Sequence, residues 1–190
     1  MKFLQIGSST AEDHLPQLTK DSCAELVVLV EPLKIHHDKI SQAYFGIPHV
    51  ILDCAVVPNP IPSGKIPFFF HMDDCPNYPL SSISEDHFFQ PRHGSLQKEK
   101  VVEISVPART LSSILEEFNL YRLDYLMLDA EGIDDQILYS LDWRKFDIKE
   151  IYYEAVHINN LKLISFLEPL GFSVTYGLGP WGFDCLAIRP

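Results

Sequence analysis

The chain predicts an α/β fold: a mostly parallel, doubly wound sheet that closes with an antiparallel hairpin at its C-terminal end. Three observations carry this reading. Short β-branched runs alternate with amphipathic segments, over connections long enough for crossovers. Several of those runs stop abruptly at a glycine or an acid, namely at Gly7, Glu31, Asp53, Asp129 and Glu154. The end of the chain instead carries two strand-like runs around a glycine-rich turn, 177–182.

The elements follow in order. Residues 3–6 read as a strand, followed by the loop Gly7-Ser-Ser-Thr-Ala-Glu-Asp13. A weak helix is predicted over 14–20, where Pro16 fits only the first turn. Residues 26–30 are a continuous apolar run, as in a strand buried on both faces, and end at Glu31-Pro32. A helix over 34–45 and a third strand over 49–52 come next, the strand ending at Asp53. Residues 66–70 read as an additional strand, and Pro67 suits an edge or a strand start. A long loop insertion, rich in Pro, Ser, His and acids, is predicted over about 71–100. After a strand over 101–106, Thr110 caps a helix with Leu111, Ile114, Leu115 and Phe118 on one face. The strand 125–128 leads through an acidic turn into a helix over 133–141. The strand 150–153 ends at Glu154, and Asn159 caps a helix that Gly171 terminates. Residues 172–176 and 184–188 make the hairpin. At 190 residues, one domain over 1-190 is the expectation.

Composition narrows the function classes. The net charge of −11, with no Lys/Arg cluster, speaks against nucleic acid and against anionic membrane surfaces. No apolar run approaches the roughly 20 residues that span a bilayer, and the first residues make no signal-peptide core. A soluble, cytoplasmic protein is expected. Cys23, Cys54, Cys75 and Cys185 form no C-x-x-C pair and read as free thiols. Cys23, Cys54 and Cys185 are predicted in apolar surroundings, and Cys75 in a loop. Neither His36-His37-Asp38 nor His71 with Asp73, Asp74 and Cys75 has a compact zinc spacing, so no metal site is predicted; a divalent cation bridging Asp129, Glu154 and a substrate is the alternative.

The strand tips carry the chemistry. In such a sheet they share one edge, where ligands bind. Gly7 lets a ligand approach the backbone, and Glu31 is placed to accept hydrogen bonds from ribose hydroxyls. Both suit an adenosine-containing cofactor. A nicotinamide dinucleotide needs a glycine-rich turn for its pyrophosphate. Here Glu12 and Asp13 would repel one. They would not repel S-adenosylmethionine, which is cationic and carries no phosphate.

The blocks Val30-Glu-Pro32, Asp53-Cys-Ala-Val-Val57, Arg109-Thr-Leu111 and Leu128-Asp-Ala-Glu-Gly-Ile-Asp-Asp-Gln-Ile-Leu138 resemble the successive motifs of FkbM-type methyltransferases. The serine-rich stretch 81–87, followed by His93, is similar to a further family segment. The resemblance covers most of the chain, from the first strand to Glu154. It implies a Rossmann-like class I methyltransferase fold, with S-adenosylmethionine as cofactor. The implied reaction is O-methylation of a hydroxyl on a sugar, lipid or natural-product acceptor. The first motif departs from the family, with Ser8-Ser9-Thr10 after its single glycine. The chain also opens directly on the first strand, so the expectation is a minimal member or a homo-oligomer that completes its pocket.

Residue by residue, Gly7, Ser8, Glu31, Asp53, Cys54 and Asp129 are the expected cofactor contacts. Asp129, Glu154 and His157 are the candidate catalytic groups, with His157 as general base. Glu131, His87 and His93 are the candidate acceptor contacts. Each has a plainer reading: acids beside a helix N-terminus stabilise it, and a lone histidine is commonly structural. Two rival functions stand beside methyl transfer. One is a cofactor-binding module without catalysis; the other is a metal-dependent or nucleotide-sugar enzyme on the same sheet.

Overall fold

A computed structural model describes residues 1–72, 81–85 and 98–190. In chain order the elements are β1 (Lys2–Ile6), α1 (Leu15–Asp21), β2 (Leu26–Val30), α2 (His37–Ala43), β3 (His49–Leu52), β4 (Ala55–Val57), β5 (Lys65–His71), β6 (Ser81–Ser82), β7 (Val101–Thr110), α3 (Leu111–Glu117), β8 (Arg122–Leu128), α4 (Asp134–Tyr139), β9 (Asp147–Glu154), α5 (Asn160–Leu167), β10 (Ser173–Leu178) and β11 (Asp184–Ile188). The main sheet has seven strands in the order β10-β11-β9-β8-β1-β2-β3. Strands β3, β2, β1, β8 and β9 run parallel. Strand β11 is antiparallel to both β9 and β10.

Both faces of this sheet are covered, which explains the near-continuous apolar strands. Leu4, Ile6, Val28 and Val30 join a core with Leu115 of α3, Ile137 of α4 and Leu163 of α5. Phe3, Val27 and Leu29 face the other way, onto Leu15 of α1 and Ile40 of α2. Gln5 lies fully buried between them. Its amide donates to Asp13 at 2.6 Å, and its carbonyl oxygen accepts from the Tyr44 hydroxyl at 3.1 Å. The caps are those the sequence predicts. The Thr110 hydroxyl accepts from the Ser113 N–H, the Asn159 side chain accepts from the Lys162 N–H, and Gly171 takes φ +93° after the last helical turn.

Chain order reverses between β1 and its neighbour β8, and this switch point is where open α/β sheets hold ligands. A second, four-stranded sheet, β4-β7-β5-β6, stands beside it. It accounts for the main departures from expectation. Strand β7 continues to Thr110, because its first part pairs with β5 and its last three residues pair in parallel with β4. Among the described residues β6 pairs with Phe69 and Phe70 and stops short of Pro67, which fits a proline's place on the outer side of β5. The expected loop 71–100 includes β6 and a short 3-10 turn, Lys98–Lys100. The helix expected over 34–45 divides into a 3-10 turn, Lys34–His36, and α2. Cys54 and Cys185 are buried, as expected. Cys23 is exposed in a turn at φ +50°, which corrects its apolar assignment. Cys75 lies outside the described residues. Among the described residues no helix is long and apolar enough to cross a membrane.

Candidate active site

The crevice opens at the switch point. The N–H of Gly7 donates to the Val30 carbonyl at 3.0 Å, and that of Asp129 donates to the Ile6 carbonyl at 3.0 Å, so three strand ends are laced together. Gly7 takes φ +78°, and a Cβ there would strike the Asp129 carbonyl oxygen. Only glycine allows the two chains to pass this closely. Beyond them lies a cavity of about 60 Å³, narrower than the roughly 300–1,000 Å³ usual for small-molecule sites. The main sheet contributes Gly7, Ser9, Glu31 and Asp129 to its lining; the second sheet contributes Ala55, Val56, Phe68 and Ser82.

Glu31 forms one wall and is only 3% exposed. One carboxylate oxygen accepts from the Ser9 N–H at 2.8 Å, and the other accepts from the Leu33 N–H at 2.8 Å. The buried His36 stands 3.5 Å from the second oxygen. A carboxylate has about four acceptor positions, so two remain for a ligand. Glu31 thereby holds both its own turn and the Gly7 loop, in which Ser9 sits at φ +46°.

An acidic cluster occupies the far end. Asp129 is open to solvent on one side, yet protein walls strip away much of its water. That desolvation, and then the charges of Glu131, Asp134, Asp184 and Asp13, hold its carboxyl well above the usual range. Asp134 is fully buried and accepts from the Ala130 N–H at 3.1 Å. Its carboxyl is pushed up to about 6, chiefly by burial. Burial, then the neighbouring acids led by Asp129, push Glu154 up to about 9. The His157 ring nitrogen Nε2 stands 3.2 Å from Glu154 and 3.4 Å from Glu131. Gly132, at φ +99°, is what lets the turn carrying Glu131 pack against His157, since a Cβ there would lie 3.3 Å from the His157 Cβ.

The Glu154 shift has a stability consequence. Its folded value lies above the ordinary 4.5, so the folded protein binds this proton more tightly than the unfolded chain. The associated stability is complete below about 4.5 and is lost as pH rises through about 9. Thermal melts across that window should show Tm falling with pH. The Glu154→Gln variant should show a shallower decline and melt above the parent at pH 9. Parallel curves for the two proteins would refute the assignment.

The other expected contacts divide. Cys54 lines the crevice, and burial pushes its thiol up to about 11, so it contributes shape rather than a thiolate. Ser8 is buried behind the lining, its Oγ without a hydrogen bond, while the adjacent Ser9 faces the space. Asp53 points away, pairs with Lys34 at 2.8 Å and borders a separate groove. The Lys34 ammonium holds its carboxyl below the usual range. His87 and His93 lie outside the described residues. Phe68, Ile83 and Ala130 line the crevice without any local sequence signal. Asp184, which accepts from the Tyr152 hydroxyl at 2.6 Å, adds charge to the cluster and was equally invisible to a linear reading.

A seven-stranded sheet with one antiparallel strand inserted beside its last parallel strand, and an acid-lined crevice at the switch point, define a class I methyltransferase fold. Residues 5–174 match the family described as the methyltransferase FkbM domain. The chain belongs to that family, and the protein is a methyltransferase by family. Among solved structures, that of a fibrillarin/Nop5p complex is similar over 100% of this chain and 72% of its own, at 11% identity and a TM-score of 0.46. Comparison with curated proteins gives no match.

Proposed function

We propose that the protein transfers a methyl group from S-adenosylmethionine to a hydroxyl oxygen of a sugar, lipid or natural-product acceptor. One observation carries the reading: the crevice beside Gly7 is lined by Glu31, Asp129 and Glu131 and by no Lys or Arg among the described residues. Such a lining disfavours a pyrophosphate and favours a cationic nucleoside. When bound, S-adenosylmethionine supplies an electrophilic methyl on a sulfonium. Gly7 makes room for it against backbone, and the free acceptor positions of Glu31 take the ribose hydroxyls. The apolar strip of Ala55, Val56 and Phe68 receives the adenine. Asp129 faces the cationic end.

In this reading the acceptor enters beside Glu131. Glu154 and His157 stand at the same strand ends, and His157 takes the proton as the acceptor oxygen attacks. Positioning of the two reactants supplies most of the rate, up to about 7–11 kcal/mol of barrier. A cytoplasmic setting and a small-molecule or glycan acceptor, rather than nucleic acid, complete the proposal and agree with the net charge of −11.

Calorimetry with S-adenosylmethionine and its demethylated product, combined with methyl transfer to a mixed pool of hydroxyl acceptors, tests it. Saturable binding with transfer is the expected result. Binding without transfer to any acceptor would favour the non-catalytic module, and absence of binding would sink the cofactor assignment.

A further inference from the structure

We propose that Glu131, Glu154 and His157 form a site for one divalent cation of the manganese or zinc type, at the acceptor end of the crevice. Two turns build it. One follows β8 and the other follows β9, and these strands pair in parallel up to Leu128 and Tyr153. The turns therefore leave the sheet side by side. One ligand atom from each of the three residues lies within 4.8 Å of the others.

The spacing distinguishes a shared ion from ordinary ion pairs. His157 Nε2 is 3.2 Å from Glu154 Oε2 and 3.4 Å from Glu131 Oε2. A charge-assisted N–H···O contact closes to about 2.7–2.9 Å. Ligands held tetrahedrally at about 2.0–2.1 Å from a common ion sit about 3.3–3.4 Å apart. Glu154 Oε2 is buried and makes no hydrogen bond. A second carboxylate points to the same need. Asp134, the first residue of α4, is fully buried, its Oδ2 has no hydrogen-bond partner, and its charge bears on both Asp129 and Glu154. One imidazole and two carboxyl groups make a mixed nitrogen and oxygen donor set where the ligand atoms converge.

The donor set chooses the ion. Carboxylates alone suit magnesium and calcium, whereas an imidazole brings in zinc and its transition-metal neighbours. Three protein ligands leave further positions open, as in catalytic rather than structural centres. Glu131 also lines the crevice, so an open position lies beside it. This assignment rests on the methyl-transfer reading only for the identity of the fourth ligand, an acceptor hydroxyl. With an ion present, His157 is a ligand and not the base proposed above; the two roles exclude each other. The sequence suggests a cation between Asp129 and Glu154; the set Glu131, Glu154 and His157 emerges only from the packing of two turns joined through the sheet.

The test starts from chelator-stripped protein. Manganese(II) is titrated while paramagnetic resonance follows the free ion, and zinc(II) binding is followed by calorimetry. One ion per chain is expected, with affinity falling at least tenfold in the Glu131→Gln/Glu154→Gln double variant. An Asp142→Asn control, which alters an exposed acid elsewhere, should bind as the parent does. Because the double variant could misfold, the parent protein carries an independent readout: zinc should move the nitrogen resonance of His157 Nε2. No saturable binding, equal affinity in parent and folded double variant, or an unmoved His157 resonance overturns the proposal. Calorimetry with S-adenosylmethionine on the same stripped protein separates the two readings. Cofactor binding without ion binding removes the metal site alone, and ion binding without cofactor binding removes the methyl-transfer reading alone.

Discussion

Gly7→Ala should sharply weaken cofactor binding and destabilise the fold. The residue takes φ +78°, a left-handed conformation costing an alanine about 1–2 kcal/mol. The new methyl group would also collide with the Asp129 carbonyl oxygen, which β1 and β8 hold in place. Overpacking of this kind adds about 1–3 kcal/mol. The strand ends must separate to relieve the clash, and the separation falls on the crevice itself. A total of about 2–5 kcal/mol in chemical denaturation is expected, with cofactor affinity reduced by about 10²-fold or more. Gly46→Ala is the matched comparison: it too has positive φ, but a Cβ there meets nothing within 4 Å. It should show the conformational cost alone and retain affinity. Equal loss of affinity in both variants would mean that the approach of Gly7 to Asp129 does not shape the site.

Glu31→Gln should be nearly as damaging, for a different reason. Both carboxylate oxygens accept backbone N–H groups, from Ser9 and from Leu33. A glutamine has one acceptor oxygen and an NH₂, so one of those N–H groups would face another donor. The buried His36 would also lose the charge beside it. An unsatisfied buried donor costs about 1–3 kcal/mol. Since the Ser9 turn lines the crevice, cofactor affinity should fall with stability, by about tenfold to 150-fold on the scale of charged hydrogen bonds. Calorimetry on the folded variant checks it. Affinity equal to the parent's would show that Glu31 is only a brace for its own loop.

These two positions were readable in the sequence because their signals are local. A glycine or an acid directly after an apolar run marks a strand tip. The caps Thr110 and Asn159 were readable for the same reason: each is a short side chain ahead of a periodic helix. Strand β4 was not. Three residues carry no usable alternation, and only their pairing with β7 makes Ala55–Val57 a strand. Phe68 and Ile83 line the crevice because β5 and β6 turn toward it, a non-local event. Asp53 shows the opposite failure. It ends a strand as expected, but Lys34 is near enough to draw the carboxylate outward. Glu131 and His157 were each recognised separately. Their meeting depends on the parallel register of β8 and β9, which no spacing along the chain expresses.

The crevice takes one wall from each sheet, and the backbone passes from one to the other at Cys54. Any molecule that fills it is therefore a clasp across a seam. Its grip adds to the resistance of the whole chain against heat and proteases, by an amount that grows with the logarithm of its concentration above Kd. Lifetime and occupancy are thus coupled: chains starved of their small molecule would be the first to be cleared.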